Sequence, residues 1–361
     1  MSALETLRGP YADRTARAAE WRRDGGKVVG YVGADVPREL IAAAGLLPLR
    51  LHGGGPGSGL ADEILGPGVD PPARLVLAGL LDPGRLPIDF LLLCHDSDST
   101  VRLYTSLRAL GDREGLPETH FLDLLHLPAE TTAGYNLDRL AELLATLEAW
   151  AGRPVTTDEL RTAIAETNES RRLIGRLLAF RRAAPPLIGG ADALAAIGAG
   201  TGLPAGEFNH LLSALLDELP DGDPRPGRRL YLTGSGHASN EVYQAIEERG
   251  WVVIGEDHDW GEALADGLVD ENIDPLAALS QRYHTGSALG RRHGSNERAA
   301  FTAQEAEAGG AELVLAWIRA GDDAHAWDVP EQRRRLAERG LTLAVLDRRP
   351  YDRVELVGAL P

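Results

Sequence analysis

The sequence predicts an α/β protein with two small doubly wound parallel-sheet domains joined by a helical layer. Three observations predict it. Short apolar runs fall in two sets of four, helical patterns separate most of them, and the stretch between the sets shows no convincing strand. Continuous apolar strands alternating with helices belong to parallel sheets covered on both faces.

Taken in order, the N-terminal stretch MSALETLRGPYADRTARAAEWRRDGG lacks the apolar core of a signal peptide and reads as a charged helix. The first strands are Val28–Val32, Leu46–Leu51, Phe90–Cys94 and Phe121–Leu125, with helices expected at Val36–Ala44 and Thr100–Leu110. From Asn136 to Leu219 the amphipathic patterns Leu137–Ala151 and Thr157–Arg182 lead. The second of these opens at the capping segment TTDEL. Pro185–Pro186 interrupts the helical layer, and Ala191–Gly198 and Ala205–Leu219 follow. Pro220–Arg228, rich in Pro, Gly and charge, is a linker into the second sheet. That sheet draws on Arg229–Thr233, Trp251–Ile254, Leu313–Ile318 and Leu341–Leu346, with helices at Asn240–Arg249, Glu297–Ala308 and Pro330–Arg339. The expected divisions are 1–135, 136–220 and 221–361.

A chain of 361 residues with 43% hydrophobic and 25% charged residues has ordinary globular composition, and two domains are the default at that length. Net charge is −17, which argues against a nucleic-acid footprint, since phosphate binding needs a concentrated positive face. No apolar run approaches the ~20 residues that span a bilayer. The expected location is the cytoplasm. A single cysteine, Cys94, cannot make an internal disulfide, a cysteine zinc site or a cysteine cage for an iron–sulfur cluster. Ending an apolar strand, it reads as a packed core thiol.

Ligands of doubly wound sheets bind beyond the carboxyl ends of the strands, which directs attention to five loops. Gly33–Leu40 follows the first strand and Cys94–Thr100 the third. Gly234–Asn240, Glu256–Gly261 and Gly321–Trp327 follow strands of the second sheet. His95, His237, His258 and His325 lie in these loops, and three of them have an Asp within two residues. Such groups suit divalent metals or acid–base chemistry, and equally the capping of helices. Ser97, Ser99 and Thr100 are natural N-caps, and the same first turn offers free N–H groups to an anion. Gly234–Ser235–Gly236 opens a helix but lacks the downstream Lys of a P-loop. The glycine loop Gly53–Gly59 reads as surface. Arg102 falls on a first helical turn, where it can pair with a carboxylate or phosphate.

Val29–Gly30–Tyr31 and the string Val36–Pro37–Arg38–Glu39–Leu40–Ile41–Ala42–Ala43–Ala44–Gly45 running to Pro48 resemble the opening of the 2-hydroxyacyl-CoA dehydratase and benzoyl-CoA reductase subunits. Gly234–Ser235, Ile246–Glu247, Gly250, Glu256–Asp257, Gly261, Pro275, Tyr283 and Asp328–Pro330 extend the resemblance over nearly the whole chain. It implies a four-iron four-sulfur cluster held between two α/β domains by three cysteines. The implied positions are Gly33–Asp35, Ser97–Asp98, and either Asp259 or the Asp322–His325 stretch, and none is cysteine here. Cys94 lies three residues early. The resemblance further implies elimination of water from a 2-hydroxyacyl thioester through a ketyl radical, chemistry that this chain alone has no electron donor to support.

Three readings follow. The chain is a cluster-free subunit of a dehydratase-like lyase whose homologous partner carries the cluster, while it supplies acyl-thioester contacts; it is a repurposed enzyme using His95, Asp98, His258, Asp259 and His325 as divalent-metal ligands or acid–base groups; or it is a non-catalytic binding scaffold, and the expected partner is a homologous subunit or a second copy. The candidate catalytic residues are Glu39, His95, Asp98, His258 and Asp259. Candidate substrate-binding residues are Gly33, Asp35, Ser97, Ser99, Arg102, Gly234, Ser235, His237 and His325, and Asp98, His258, Asp259 and His325 are the candidate metal ligands. Arg50, Arg102, Arg291 and Arg292 are the cations available to acyl-CoA phosphates.

Overall fold

A computed structural model describes residues 2–52, 59–82, 84–111, 115–285, 294–356 and 360. Arg291, Arg292 and most of the Gly53–Gly59 loop lie outside the described residues. The charged N-terminal stretch folds as α1 (Ala3–Ala12) and α2 (Ala16–Arg23), the first capped by Ser2 and Glu5. β1 (Val28–Val32), α3 (Arg38–Ala43), β2 (Leu47–Arg50), α4 (Gly59–Leu65), α5 (Pro71–Leu81), β3 (Phe90–Cys94), α6 (Asp98–Leu110) and β4 (Glu118–Leu122) complete the first domain's sheet and its covering helices. Its strands pair in the order β2-β1-β3-β4, all parallel.

Four helices come next: α7 (Glu130–Ala151), α8 (Thr157–Arg182), α9 (Gly190–Ala199) and α10 (Ala205–Glu218). The expected bounds of α8 hold because its start is fixed by a capping box. Thr156 Oγ1 accepts from the Glu159 N–H (3.2 Å), and the Glu159 carboxylate accepts from the Thr156 N–H (2.8 Å). The second sheet and the helices that accompany it are β5 (Arg228–Gly234), α11 (Glu241–Glu247), β6 (Trp251–Glu256), α12 (Pro275–Thr285), α13 (Ser295–Ala308), β7 (Leu313–Arg319), α14 (Asp323–Ala326), α15 (Val329–Ala337) and β8 (Leu343–Arg349). Its order, β6-β5-β7-β8, repeats that of the first sheet, again all parallel.

The predicted fold class therefore stands, with shifted edges. The fourth strand forms over Glu118–Leu122 rather than Phe121–Leu125, and the last over Leu343–Arg349 rather than Leu341–Leu346. Both are edge strands. Leu124 beyond β4 is still buried, so the apolar run continues into a packed loop after pairing has ended. β8 finishes on charged residues that suit an open edge.

The core follows α8. Its first half, Leu160, Ala163 and Ile164, packs with residues of α3 and α7, whereas Leu173, Ile174 and Leu177 join the core of α1, α9 and α10. Among the described residues no helix is long and apolar enough to cross a membrane.

Candidate functional site

In each sheet the chain runs from the two central strands toward opposite edges, so the loops after β1 and β3, and after β5 and β7, diverge and leave a crevice. At the first crevice Gly33 has φ +114°, and a Cβ there would stand 2.7 Å from the Cβ of Cys94. Only glycine fits that turn without displacing the neighbouring strand. The Ala34 N–H donates across the crevice to Asp96 (3.2 Å). Two imidazole–carboxylate pairs flank it, His95 Nδ1 to Asp123 at 2.7 Å and His126 Nε2 to Asp35 at 3.1 Å. Ser97 caps α6 by accepting from the Thr100 N–H, and the Ser99 hydroxyl accepts from the Asp70 N–H at 3.2 Å. Asp98 and Arg102 are exposed on the same helix, while Cys94 is buried as expected.

At the second crevice Gly234 has φ +106°, and a Cβ would meet the Trp317 carbonyl at 2.5 Å. Ser235 extends the β5–β7 pairing: its N–H donates to Trp317 O (2.8 Å) and its hydroxyl accepts from the Arg319 N–H (2.9 Å). Both residues thus have structural work in the sheet. The His258 ring accepts the Trp260 N–H at Nδ1 (3.2 Å), which places the proton of the neutral ring on Nε2, 2.7 Å from the Tyr243 hydroxyl. Burial pulls His258 below the ordinary histidine range, so the neutral form holds at pH 7. His237, its ring 5.3 Å from that of His258, is buried with both nitrogens unpartnered. His325 stands 3.8 Å from both Asp322 and Asp328, and Arg298 grips Asp328 with two bonds.

Arg50, at the end of β2, reaches the loop that follows β6. Arg50, 4% exposed, donates to the Asp259 carboxylate and to the Asp259 carbonyl, each at 2.6 Å. Its guanidinium lies 3.6 Å over the Trp260 ring, which His52 approaches edge-on. Arg14, from the turn between α1 and α2, donates to the Ala238 carbonyl at 2.5 Å and faces the rings of Tyr11 and Trp260. Burial, with the cations Arg14 and Arg50, draws His52 down to about 4, leaving it neutral.

Behind this junction α8 inserts one arginine into each half. Arg171 holds Glu39 at 2.5 Å, and the Tyr283 hydroxyl lies 3.0 Å from the other carboxylate oxygen. Burial alone would raise Glu39, but Arg171 and Arg282 outweigh it and hold the carboxyl at about 2. Glu39 is fully buried, with both oxygens engaged. Arg181 pairs with Glu256 at 2.6 Å and also with Glu262, which Arg182 grips in turn at 2.6 Å. Burial pushes Glu262 up to about 7 despite these cations, while Arg181 keeps Glu256 below its ordinary value against the same burial.

The sequence-predicted residues therefore fall into separate places. Gly33, Asp35, His95, Ser97, Ser99, Asp98 and Arg102 lie around the first crevice; Gly234, Ser235, His237, His258 and His325 lie around the second; Asp259 is in the junction and Glu39 in the core. Among the described residues no three His, Cys, Asp or Glu side chains converge as metal ligands, so Asp98, His258, Asp259 and His325 do not form one centre. An iron–sulfur cluster asks for thiolates. The donor set here is oxygen and nitrogen, Asp259 is tied to Arg50, and the one cysteine is buried. The residues present do not fit that group.

Sequence reasoning did not find Arg14, Trp260, Tyr243, Arg171 or Arg181. The last two carried a signal, since arginines amid the buried Leu173, Ile174, Leu177 and Leu178 of one helix imply buried partners.

Compared with known proteins, residues 34–352 match the family described as 2-hydroxyglutaryl-CoA dehydratase, D-component. The chain belongs to that family. It is 26% identical over 261 residues to a benzoyl-CoA reductase subunit of Thauera aromatica, covering 70% of this chain and 67% of that protein. It is 31% identical over 160 residues to "Putative dehydratase subunit YjiM" of Escherichia coli K12, covering 40% of each. The two all-parallel four-stranded sheets, with the same strand order, agree with the two-domain α/β architecture that the sequence resemblance implied.

Proposed function

We propose that this chain is the cluster-free subunit of a dehydratase-type complex, contributing an acyl-thioester cleft between its two sheets. The observation that carries the reading is the state of Asp259. At one of the two places the resemblance offers for a cluster thiolate, this carboxylate is spent on Arg50, which stacks on Trp260, joining the two halves. A residue so engaged serves shape rather than metal ligation. The names of both relatives call them subunits, which supports assembly with a homologous partner. Any electron-transfer group then resides on that partner, and the acyl thioester reaches the crevice loops Gly33–Asp35 and Gly234–His237.

The test is anaerobic purification of the full chain alone and co-expressed with a cysteine-rich family member. A 1:1 complex whose iron and sulfide appear only with the partner is the expected result. Stoichiometric iron and sulfide on the chain alone, or dehydratase activity from a lone homodimer, would overturn the assignment.

A further inference from the structure

We propose that Arg14 is the receptor for a compact oxyanion, a carboxylate or phosphate group, at the junction of the two sheets. Arg14 is 5% exposed, yet it donates to a backbone carbonyl rather than a carboxylate, and Nε and Nη1 have no partner. Its other neighbours are Tyr11, which hydrogen-bonds to it and whose ring lies at 4.6 Å, and the Trp260 ring at 5.3 Å, and the like charge of Arg50 acts on it. The Tyr11 phenol is pushed up to about 12 by burial, so it stays neutral and supplies no counter-charge. Glu241 influences Tyr11 but is itself exposed at the start of α11.

The other buried arginines are served better. Arg50, Arg171 and Arg181 each hold a carboxylate and leave only Nε unpartnered. Arg319, set between Trp317 and Tyr351 with the Pro350 carbonyl, also leaves only Nε. Among the described residues, Arg14 is the buried guanidinium that leaves two nitrogens and holds no anion. A buried charge without a counter-ion is costly, and aromatic faces offset only part of that cost. At the junction Asp259 is taken by Arg50 and His52 is neutral, so neither offsets the charge of Arg14. One anionic group balances it. Arginine suits carboxylate and phosphate alike, and the Trp260 ring lies beside the guanidinium.

The site belongs to this chain alone and stands whether or not a cluster-bearing partner exists. It is tested on the full chain at low ionic strength by calorimetric titration and thermal melting, with sodium phosphate in one arm and sodium succinate in the other. At least one anion is expected to raise the melting temperature saturably, and the responsive arm identifies the group. Arg14→Met is expected to weaken that anion about 10- to 100-fold, the loss of charge-assisted hydrogen bonds. Without anion it should melt no lower than the native chain, because it removes an unpaired charge. Arg14→Lys, which keeps the charge, should retain part of the response. The proposal is overturned if neither anion acts on the native chain, or if Arg14→Met keeps the full response. It is equally overturned if Arg14→Met melts well below the native chain or fails to fold, as loss of a purely structural arginine would require.

Discussion

Replacing Arg181 by Met should make the stability of this protein depend on pH in a way that the native chain's does not. Arg181 lies between Glu256 and Glu262, both buried, and its removal leaves two carboxylates facing each other without that cation. Breaking a buried pair from one side costs about 3–5 kcal/mol. Arg181 lowers both carboxyls, but Glu262 keeps Arg182, so Glu256, which Arg181 holds low, bears the larger loss. Deprived of the arginine, Glu256 escapes by keeping a proton. Holding that proton costs about 1.4 kcal/mol for each pH unit above the ordinary value of about 4.3. The penalty for Glu256 is therefore about 4 kcal/mol near pH 7.5 and about 1 kcal/mol near pH 5.

The sign follows from the raised carboxyl. In the variant the folded state binds the proton more tightly than the unfolded chain, so stability falls as pH rises above the unfolded value. In the native chain the lowered Glu256 works the other way, its contribution being present above the unfolded value and lost as pH falls through the folded one. Urea unfolding followed by circular dichroism at the two pH values measures the difference directly. A penalty below about 1 kcal/mol near pH 7.5, or one that does not change between the two pH values, would refute the reasoning.

Three further outcomes can be checked. Arg50→Met removes the Asp259 pair and its stacking on Trp260, and should cost about 2–4 kcal/mol, with faster amide exchange over Glu256–Glu262 read by mass spectrometry. Tyr243→Phe leaves the buried His258 Nε2–H without an acceptor and should lower stability by about 1–3 kcal/mol in chemical denaturation, while a loss under a few tenths would mean the ring finds another partner. Gly234→Ala forces a Cβ against the Trp317 carbonyl at positive φ, and a drop of more than about 2 kcal/mol in unfolding free energy is expected.

The strand interiors and the long helices are legible in the sequence because each is decided locally. Val28–Val32 and Phe90–Cys94 are continuous apolar runs, and Thr156 with Glu159 marks the start of α8 by its own hydrogen bonds. The edge strands β4 and β8 fall elsewhere than expected because pairing, not composition, decides where an edge strand stops. For the site, strand order alone locates the loops, since a doubly wound sheet exposes its crevice at a predictable place. Which residues meet there is not legible. Arg50 and Asp259 are 209 positions apart, and nothing near either specifies the other. Glu39 illustrates the opposite case: a carboxylate in a specific motif whose burial by Arg171 and Tyr283 only the tertiary structure displays.

Helix α8 has a consequence for how this chain can be divided. It carries Arg171 to a carboxylate of the first sheet's helix and Arg181 to one at the end of β6, about 15 Å apart at 1.5 Å per residue. A cut at the Pro220–Arg228 linker, which looks like the natural joint, would separate Glu256 from the arginine that neutralises it. The second half expressed by itself would carry a buried carboxylate with no counter-charge, and the first would display an arginine with nothing to hold. The two similar sheets are thus not interchangeable modules. Each has become chemically unfinished without the other, so recombination between relatives is expected to succeed only where the exchanged piece brings its own end of α8.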